Sequence, residues 1–413
     1  MKAQHLRRYV GLAIVLLLSA CQSAGTPFPQ GVASTPLAVL PVAITFEQVA
    51  VPPTPLPAEF VTQADAEYLL LASLYARTTP SVVNVEAVRV VVDSLRDASR
   101  GSGWVYDKRG YIVTNAHVVK DAVEVRVTFN DGAVINADLV GLDVYSDLAV
   151  LRVNVGEERL FPLALADSNA VRVGQRAITI GNPFGLSSSM TMGIISGLGR
   201  TLPSAEMIDA QASGGYQNPS IIQTDTPINV GNSGAPLLNS FGDVVGVTTA
   251  IRTDTGVFQG VGFAVPSNTV ARVVPQLIEK GRVDYPYLGI SVNSEANGYT
   301  LAGIADALNL PVRQGVLVRG VADNSPATVA GLRGGNRVAT VRGRAVCVGG
   351  DIIVAVNERY VANMDDLTAY LIANTSVGDV VTLRVVRDKA TFDVPVLLTA
   401  RPTQAASVRD CAG

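Results

Sequence analysis

Asp225-Thr226-Pro227-Ile228-Asn229-Val230-Gly231-Asn232-Ser233-Gly234-Ala235-Pro236 is the stretch that decides the fold of this 413-residue chain. A serine between asparagine and glycine can sit on a tight turn with its hydroxyl exposed. The backbone N–H groups of Gly231 and Ser233 can then converge on one small volume and stabilise an oxyanion there. Taken alone, such a stretch is more often an ordinary glycine-rich turn than a nucleophile, so the rest of the chain has to decide. Only two histidines occur, His5 and His117, and His5 lies in a leader that maturation should remove. His117, in Thr114-Asn115-Ala116-His117-Val118-Val119, is then the one imidazole available as a base. Its solitude excludes a two-histidine metal site.

Chain order sorts the remaining possibilities. Gly231-x-Ser233-x-Ala235 approximates the nucleophile elbow of α/β-hydrolases, whose order is serine, acid, histidine. No histidine follows Ser233, so the elbow is excluded. The order His, Asp, Ser remains, the one used by two-barrel trypsin-like proteases, and it needs an acid between His117 and Ser233. Val144-Tyr145-Ser146-Asp147-Leu148-Ala149-Val150-Leu151 offers Asp147 at the mouth of an apolar strand, where a buried carboxylate could accept a hydrogen bond from the imidazole. Asp143, in a more polar turn, is the competitor. Around these residues, segments 82–85, 104–106, 111–113, 123–129, 148–153, 177–180 and 244–247 are rich in β-branched and aromatic side chains. Turn signals at 108–110, 130–132 and 242–243 separate them. Many short strands punctuated this way predict an all-β sandwich or barrel, not a parallel α/β sheet.

Five segments in register then carry a resemblance: Gly101-Ser102-Gly103-Trp104-Val105, Thr114-Asn115-Ala116-His117-Val118, Asp147-Leu148-Ala149-Val150-Leu151, Gly181-Asn182-Pro183-Phe184-Gly185 and Gly231-Asn232-Ser233-Gly234. Together they resemble the HtrA (DegP-like) family of trypsin-like serine proteases, over about residues 58–401. The resemblance implies a double β-barrel with His117 as general base, Asp147 as the residue that orients it and Ser233 as nucleophile. Gly231 and Ser233 would form the oxyanion hole, and no cofactor or metal is called for. It also implies misfolded or unfolded polypeptides as substrates and assembly in trimers or multiples of trimers, with Tyr68 and Tyr75 as candidate contacts. The family's loop usually reads Asn-Pro-Gly-Asn-Ser-Gly-Gly-Pro; here Val230 replaces the proline and Ala235 a glycine. Val230 could loosen a loop that switches between inactive and active arrangements in this family. Ile228, Thr248 and Thr249 would line the primary specificity pocket. Pro227 stands where specificity for Lys or Arg would want an acid, so small or medium apolar residues are expected before the cleaved bond.

Beyond a connecting helix expected at 267–280, capped by Ser267, kinked or restarted at Pro275 and ended by Gly281, the composition changes. Tyr287-Leu288-Gly289-Ile290 resembles the carboxylate-binding loop of a PDZ domain, whose successive N–H groups capture a peptide's C-terminus while the peptide adds to a sheet edge. Asn324-Ser325-Pro326-Ala327 through Ala330-Gly331-Leu332, and Asp351-Ile352-Ile353-Val354-Ala355-Val356-Asn357, continue the PDZ pattern. Residues 336–350 depart from it as an insertion, with a hairpin expected around Arg342-Gly343-Arg344. Cys347 lies in that hairpin, and a disulfide to Cys411 in the tail is open beside two unpaired thiols.

The N-terminus reads as an export signal over residues 1–20. Lys2, Arg7 and Arg8 precede an apolar run at 10–18 that is too short to span a bilayer. Leu18-Ser19-Ala20-Cys21 resembles a bacterial lipobox, so Cys21 is expected to carry lipid. Proline-rich residues 21–57 would then form a tether. The expected domains are therefore 58–281, a mainly β trypsin-like protease domain preceded by a helix at 58–77, and 282–401, a mixed α/β PDZ domain with a tail at 402–413. Losing the leader takes the 32 basic side chains further below the 35 acidic ones. That balance argues against nucleic acid as a partner. The expected setting is the cell envelope, outside the cytoplasm and held to a membrane by the N-terminal lipid.

Overall fold

The structure, a computed structural model, describes residues 58–90, 96–182, 188–203, 217–229, 231–251, 259–293, 299–402, 407–409 and 411. The expected leader, Cys21 and tether lie outside these residues, as do Val230 and, in the motif around Asn182, Pro183, Phe184 and Gly185. Helix α1 (Ala58–Thr78) buries Leu74 and packs Leu71 and Tyr75 against the core. Among the described residues no helix is long and apolar enough to cross a membrane.

Two closed antiparallel barrels follow. The first consists of β1 (Val82–Val90), β2 (Arg96–Val105), β3 (Tyr111–Thr114), β4 (Glu124–Thr128), β5 (Val134–Asp143) and β6 (Leu148–Val153), paired in the order β1-β2-β3-β6-β5-β4. A one-turn helix, α2 (Ala116–Val119), lies between β3 and β4. The second barrel consists of β7 (Arg176–Gly181), β8 (Ser189–Pro203), β9 (Gln217–Thr224), β10 (Pro236–Leu238), β11 (Val244–Ile251) and β12 (Gly262–Pro266), in the order β10-β11-β12-β9-β8-β7. The period-2 alternation of strands decides which residues face inward. In β4, Val125 and Val127 are buried while Glu124, Arg126 and Thr128 are half-exposed. One apolar cluster fills the first barrel around Val83, Val85, Ile112 and Leu151, and another the second around Ile195, Ile222 and Leu237. A third joins them: Trp104, Leu148, Ile178, Ile221 and Val247 pack together between the barrels. Each such side chain stabilises the fold by roughly 1.5–3 kcal/mol on burial.

Helix α3 (Ser267–Lys280) seals that third cluster with Val270, Val273, Val274 and Leu277. Two details depart from expectation. The helix is capped by extended Pro266, and Ser267 occupies the first helical position, its hydroxyl donating 2.6 Å to the Ala166 carbonyl. The buried hydroxyl finds a carbonyl from an adjoining segment instead of a helix N–H. Nor does Pro275 restart the helix, which runs through it as one element held by its buried face. Gly281 ends it, in the left-handed conformation at φ 69°.

The C-terminal domain contains β13 (Pro286–Tyr287), β14 (Ile290–Val292), α4 (Leu301–Leu308), β15 (Val316–Ala322), α5 (Pro326–Val329), β16 (Arg337–Val341), β17 (Arg344–Val348), β18 (Ile352–Val356), β19 (Arg359–Tyr360), α6 (Met364–Asn374), β20 (Val380–Arg387), β21 (Ala390–Leu397), β22 (Thr399–Ala400) and β23 (Val408–Arg409). The main sheet runs β14-β15-β18-β20-β21, with β19 on β18 and β23 on β15; β13 pairs with β22. The insertion forms the hairpin β16–β17. Its turn needs only Arg342 (φ 48°) and Gly343 (φ 77°), both left-handed, so Arg344 already belongs to β17. Cys347 of this hairpin and Cys411 of the tail are joined in a disulfide, with Cα atoms 5.9 Å apart.

Candidate active site

The first barrel brings together a base and an acid. Thr114 ends β3, Asn115 stays extended, and the four residues of α2 turn Val118 and Val119 into the barrel. His117, between them, keeps about a quarter of its side chain in solvent. Asp147 ends the turn before β6 in the left-handed conformation, φ 55°, with its carboxylate fully buried. Aspartate tolerates that conformation better than most residues, though at some local strain. His117 Nδ1 lies 2.8 Å from Asp147 Oδ2 and 3.0 Å from Oδ1, and the His117 backbone N–H donates to Oδ1 at 3.0 Å. A carboxylate only accepts, so Nδ1 carries the proton and Nε2 keeps a free lone pair. Asn115 Nδ2 fixes the Asp147 carbonyl at 2.8 Å. Burial pulls the imidazole pKa down and the Arg89 charge adds to this, but the Asp147 charge and hydrogen bond outweigh both and hold it above its ordinary value.

Ser233 comes from the second barrel, on the turn between β9 and β10. Gly234 has φ 87°, and a Cβ there would meet the Ser102 carbonyl at 2.2 Å, so only glycine fits. The turn is clasped from the first barrel: the Ser102 hydroxyl donates to the Gly231 carbonyl at 2.7 Å, and the Ser102 N–H to the Ser233 carbonyl at 2.8 Å. From the other side the Thr248 hydroxyl donates to the Asn232 carbonyl at 2.6 Å. Among the described residues neither the Gly231 nor the Ser233 N–H has an intramolecular acceptor. The Ser233 hydroxyl donates to the Thr249 carbonyl at 3.2 Å and makes no hydrogen bond to the His117 ring.

The other expected residues fall as follows. Ile228, Thr248 and Thr249 are all buried. The two threonine hydroxyls have partners of their own: Thr248 holds the serine turn, and the Thr249 hydroxyl donates to Asp147 Oδ2 across the barrels. Thr249 and Ser102 therefore matter to the site in ways that no sequence spacing announces, since their partners Asp147 and Gly231 lie 102 and 129 residues away. Asp143, the competing acid, does not reach His117. It is buried and accepts from the Tyr145 and Ser146 N–H groups and the Ser146 and Tyr285 hydroxyls. Burial raises its pKa against the lowering effect of these bonds. In the C-terminal domain, Tyr287-Leu288-Gly289-Ile290 forms a loop into β14. A Cβ on Gly289 (φ 85°) would strike Ser325 at 2.2 Å, and the Gly289 and Leu288 carbonyls accept from Ala322 and Ala327. Ile290 and Val292 of β14 pack in one cluster with Leu367 and Leu371 of α6, while the second edge of β14 is unpaired among the described residues.

Comparison with known proteins matches residues 101–247 to the trypsin-like peptidase domain family and residues 286–398 to the PDZ domain family. Protease Do-like 1 of the chloroplast of Arabidopsis thaliana is 38% identical over 342 residues, covering 81% of this chain and 73% of the relative. The chain belongs to the HtrA (DegP-like) family of trypsin-like serine proteases. A "Probable periplasmic serine endoprotease DegP-like" of Chlamydia trachomatis is 39% identical over 75% of this chain, and the chain spans 56% of that relative's length. Among solved structures, the HtrA-type protease AlgW with tripeptide superposes with a TM-score of 0.63 at 30% identity, covering 80% of this chain and 97% of that one. Of the two departures from the HtrA loop, Val230 lies outside the described residues and Ala235 is fully buried behind the serine turn.

Proposed function

We propose that this HtrA-type protein is an extracytoplasmic serine endopeptidase that hydrolyses misfolded or unfolded polypeptides and captures the C-termini of polypeptides at its PDZ domain. The observation that carries this is the 2.8 Å bond from His117 Nδ1 to a buried carboxylate, which leaves Nε2 as acceptor beside a clasped serine turn. In the reaction, the Ser233 hydroxyl turns from the Thr249 carbonyl to Nε2, gives up its proton and attacks the peptide carbonyl. The Gly231 and Ser233 N–H groups receive the developing oxyanion. His117 then passes the proton to the leaving amine, and water repeats the cycle on the acyl-enzyme. Positioned acid–base catalysis contributes about 10²–10⁴-fold and one oxyanion donor about 10²–10³-fold, so neither alone explains an efficient protease. Buried Ile228 and the missing acid at Pro227 support cleavage after small or medium apolar residues. The periplasmic name of a relative supports an extracytoplasmic setting. The Leu18-Ser19-Ala20-Cys21 pattern supports Cys21 as lipid anchor ahead of the tether. Tyr68 and Leu69, both mostly exposed on α1, support self-association through this helix, as a trimer or a multiple of trimers. Tyr75 is the weaker contact because its hydroxyl donates 2.6 Å to the Ser188 carbonyl.

One observation favours a second reading, a PDZ-bearing binding or chaperone-like protein with a weakly active protease fold: the Ser233 hydroxyl bonds to Thr249 and not to the base. Casein degradation separates the two. Wild type should degrade casein with cuts mainly after small or medium apolar residues, and Ser233→Ala should lose nearly all turnover while folding normally. Equal degradation by both proteins refutes the endopeptidase; cuts mainly after Lys or Arg refute the pocket.

A further inference from the structure

The C-terminal tail and the inserted hairpin grip the strand that would accept a peptide, from its far end and its far face. Asn293 directly follows β14 and pairs twice with the Cys347 backbone: Nδ2 donates to the carbonyl at 2.9 Å, and Oδ1 accepts from the N–H at 3.0 Å. Ile290 and Val292 face α6, so Ser291 faces the other side of the sheet. There its buried hydroxyl has no partner among the described residues, and it lies beside Gly320 of β15. The tail crosses at this point. A Cβ on Gly320 would meet the Arg409 carbonyl and a Val408 methyl at 2.6 Å, and Ser291 Oγ at 2.9 Å. The tail strand β23 pairs with β15 at Val321 and Ala322. Its other fastenings are the Asp323 N–H donating to the Ser407 carbonyl at 3.0 Å and exposed, individually weak side-chain bonds from Arg409 and Ser407 to Asp323. What ties tail to hairpin covalently is the Cys347–Cys411 disulfide, which closes a 64-residue separation.

We propose that Asn293, Cys347 and Cys411 form a clip that pre-organises β14, and that opening the disulfide weakens capture of peptide C-termini. This deepens the PDZ assignment above and rests on it. A strand held in its bound geometry loses less freedom when a peptide joins its edge. Cys411 is partly exposed and Cys347 nearly buried, so a dithiol reductant attacks the Cys411 sulfur. The S–S bond breaks and Cys347 leaves as a thiolate that takes up a proton. The reductant's second thiol then resolves the mixed disulfide, releasing the Cys411 thiol and leaving the reductant oxidised. With the bond open, β23 keeps its pairing with β15, but the covalent tie that fastens the tail to the hairpin beside Asn293 is gone.

The test uses the full-length protein in the Ser233→Ala background, so that the probe is not cleaved. Fluorescence anisotropy follows a labelled decapeptide with a free C-terminal valine and, as control, the same peptide amidated. The non-reduced protein should bind the acid and not the amide. Dithiothreitol, or Cys411→Ser, should weaken binding about tenfold, and amide hydrogen exchange across 290–293 should quicken in parallel. In Asn293→Ala the affinity should be low in both redox states. Equal affinity and equal exchange in the oxidised and reduced protein overturn the clip and leave the PDZ assignment standing. Failure to distinguish acid from amide overturns that assignment and the clip with it. Two free thiols by intact mass in non-reduced protein also overturn it.

Discussion

The two barrels have the same strand count and antiparallel pairing, yet they hold the residues of the proposed site differently. The first fixes His117 and Asp147 mostly with its own bonds: two from the imidazole nitrogen, one from the His117 N–H and one from Asn115. The second presents Ser233 on a turn that depends on Ser102 from across the interface, and its hydroxyl points to Thr249. The histidine–aspartate half is set mainly by the folding of one barrel, with Thr249 the one donor that reaches it from the other. The nucleophile half is set by how the two barrels meet. A site divided this way can be switched by moving the serine turn alone, without disturbing the histidine and its acid.

Removing the base tests the rigid half most severely. His117→Ala should lower kcat by about 10⁶-fold, as removal of the serine does, because no second imidazole can stand in. Asp147→Asn should cost about 10⁴-fold, since the ring then loses its tautomer and orientation while the nucleophile stays. The double variant Ser233→Ala, His117→Ala should be no worse than either alone. Additive losses in casein hydrolysis would mean that the two halves do not act as one unit.

The cross-barrel bond from Thr249 to Asp147 comes next. Thr249→Val keeps the shape and removes a donor to a buried carboxylate. A hydrogen bond to a charged group contributes about 1.5–3 kcal/mol, so kcat should fall by about 10- to 100-fold. An unchanged kcat would confine orientation of the acid to the first barrel.

The pH profile separates the two effects on His117. The base works only when neutral, so kcat/KM should rise with pH through a midpoint above the ordinary histidine value of 6.5. Burial opposes this shift and the Asp147 charge and bond impose it. In Asp147→Asn, burial and Arg89 remain and the midpoint should fall below 6.5. The stability sign runs the other way. A raised folded pKa means that the native state holds the proton more tightly. That stabilisation is complete below the ordinary value and is lost as pH rises through the raised one. A wild-type acid limb below 6.5 would show that burial wins.

The candidate residues were legible because chain order is a property of sequence: His117, Asp147 and Ser233 stand in the order His, Asp, Ser, and the fold brings His117 and Asp147 into contact. Apolar strands such as 148–153 were legible for the same reason that they form, their alternating β-branched side chains. The extensions of β1 and β2 were not. Residues such as Glu86, Arg89, Asp97 and Arg100 are polar, and the Glu86–Arg100 pair stabilises a hairpin that no apolar period announces. Strand β8 carries Gly193, Gly197 and Gly199, which read as breaks. Thr249 follows the apolar segment 244–247 in β11, but its donor role depends on Asp147, 102 residues away. The same holds for the clip at Asn293, whose partners come together only when the tail folds back.

The competing acid supplies the smallest effect. Asp143 and Asp147 are both buried aspartates in one turn, four residues apart, and sequence alone could not rank them beyond the apolar strand that follows Asp147. Their partners separate them. Asp147 faces the imidazole, whereas Asp143 collects two backbone N–H groups of the turn and the Ser146 and Tyr285 hydroxyls. Asp143→Asn keeps the size and one acceptor oxygen, so the turn should persist with a weakened set of bonds. Unfolding measurements should show a loss of about 1–3 kcal/mol, the cost of disturbing buried hydrogen bonds. The kcat should fall by less than about tenfold, against about 10⁴-fold for Asp147→Asn. A kcat loss for Asp143→Asn as large as that for Asp147→Asn, in a protein that still unfolds cooperatively, would move the catalytic acid four residues upstream.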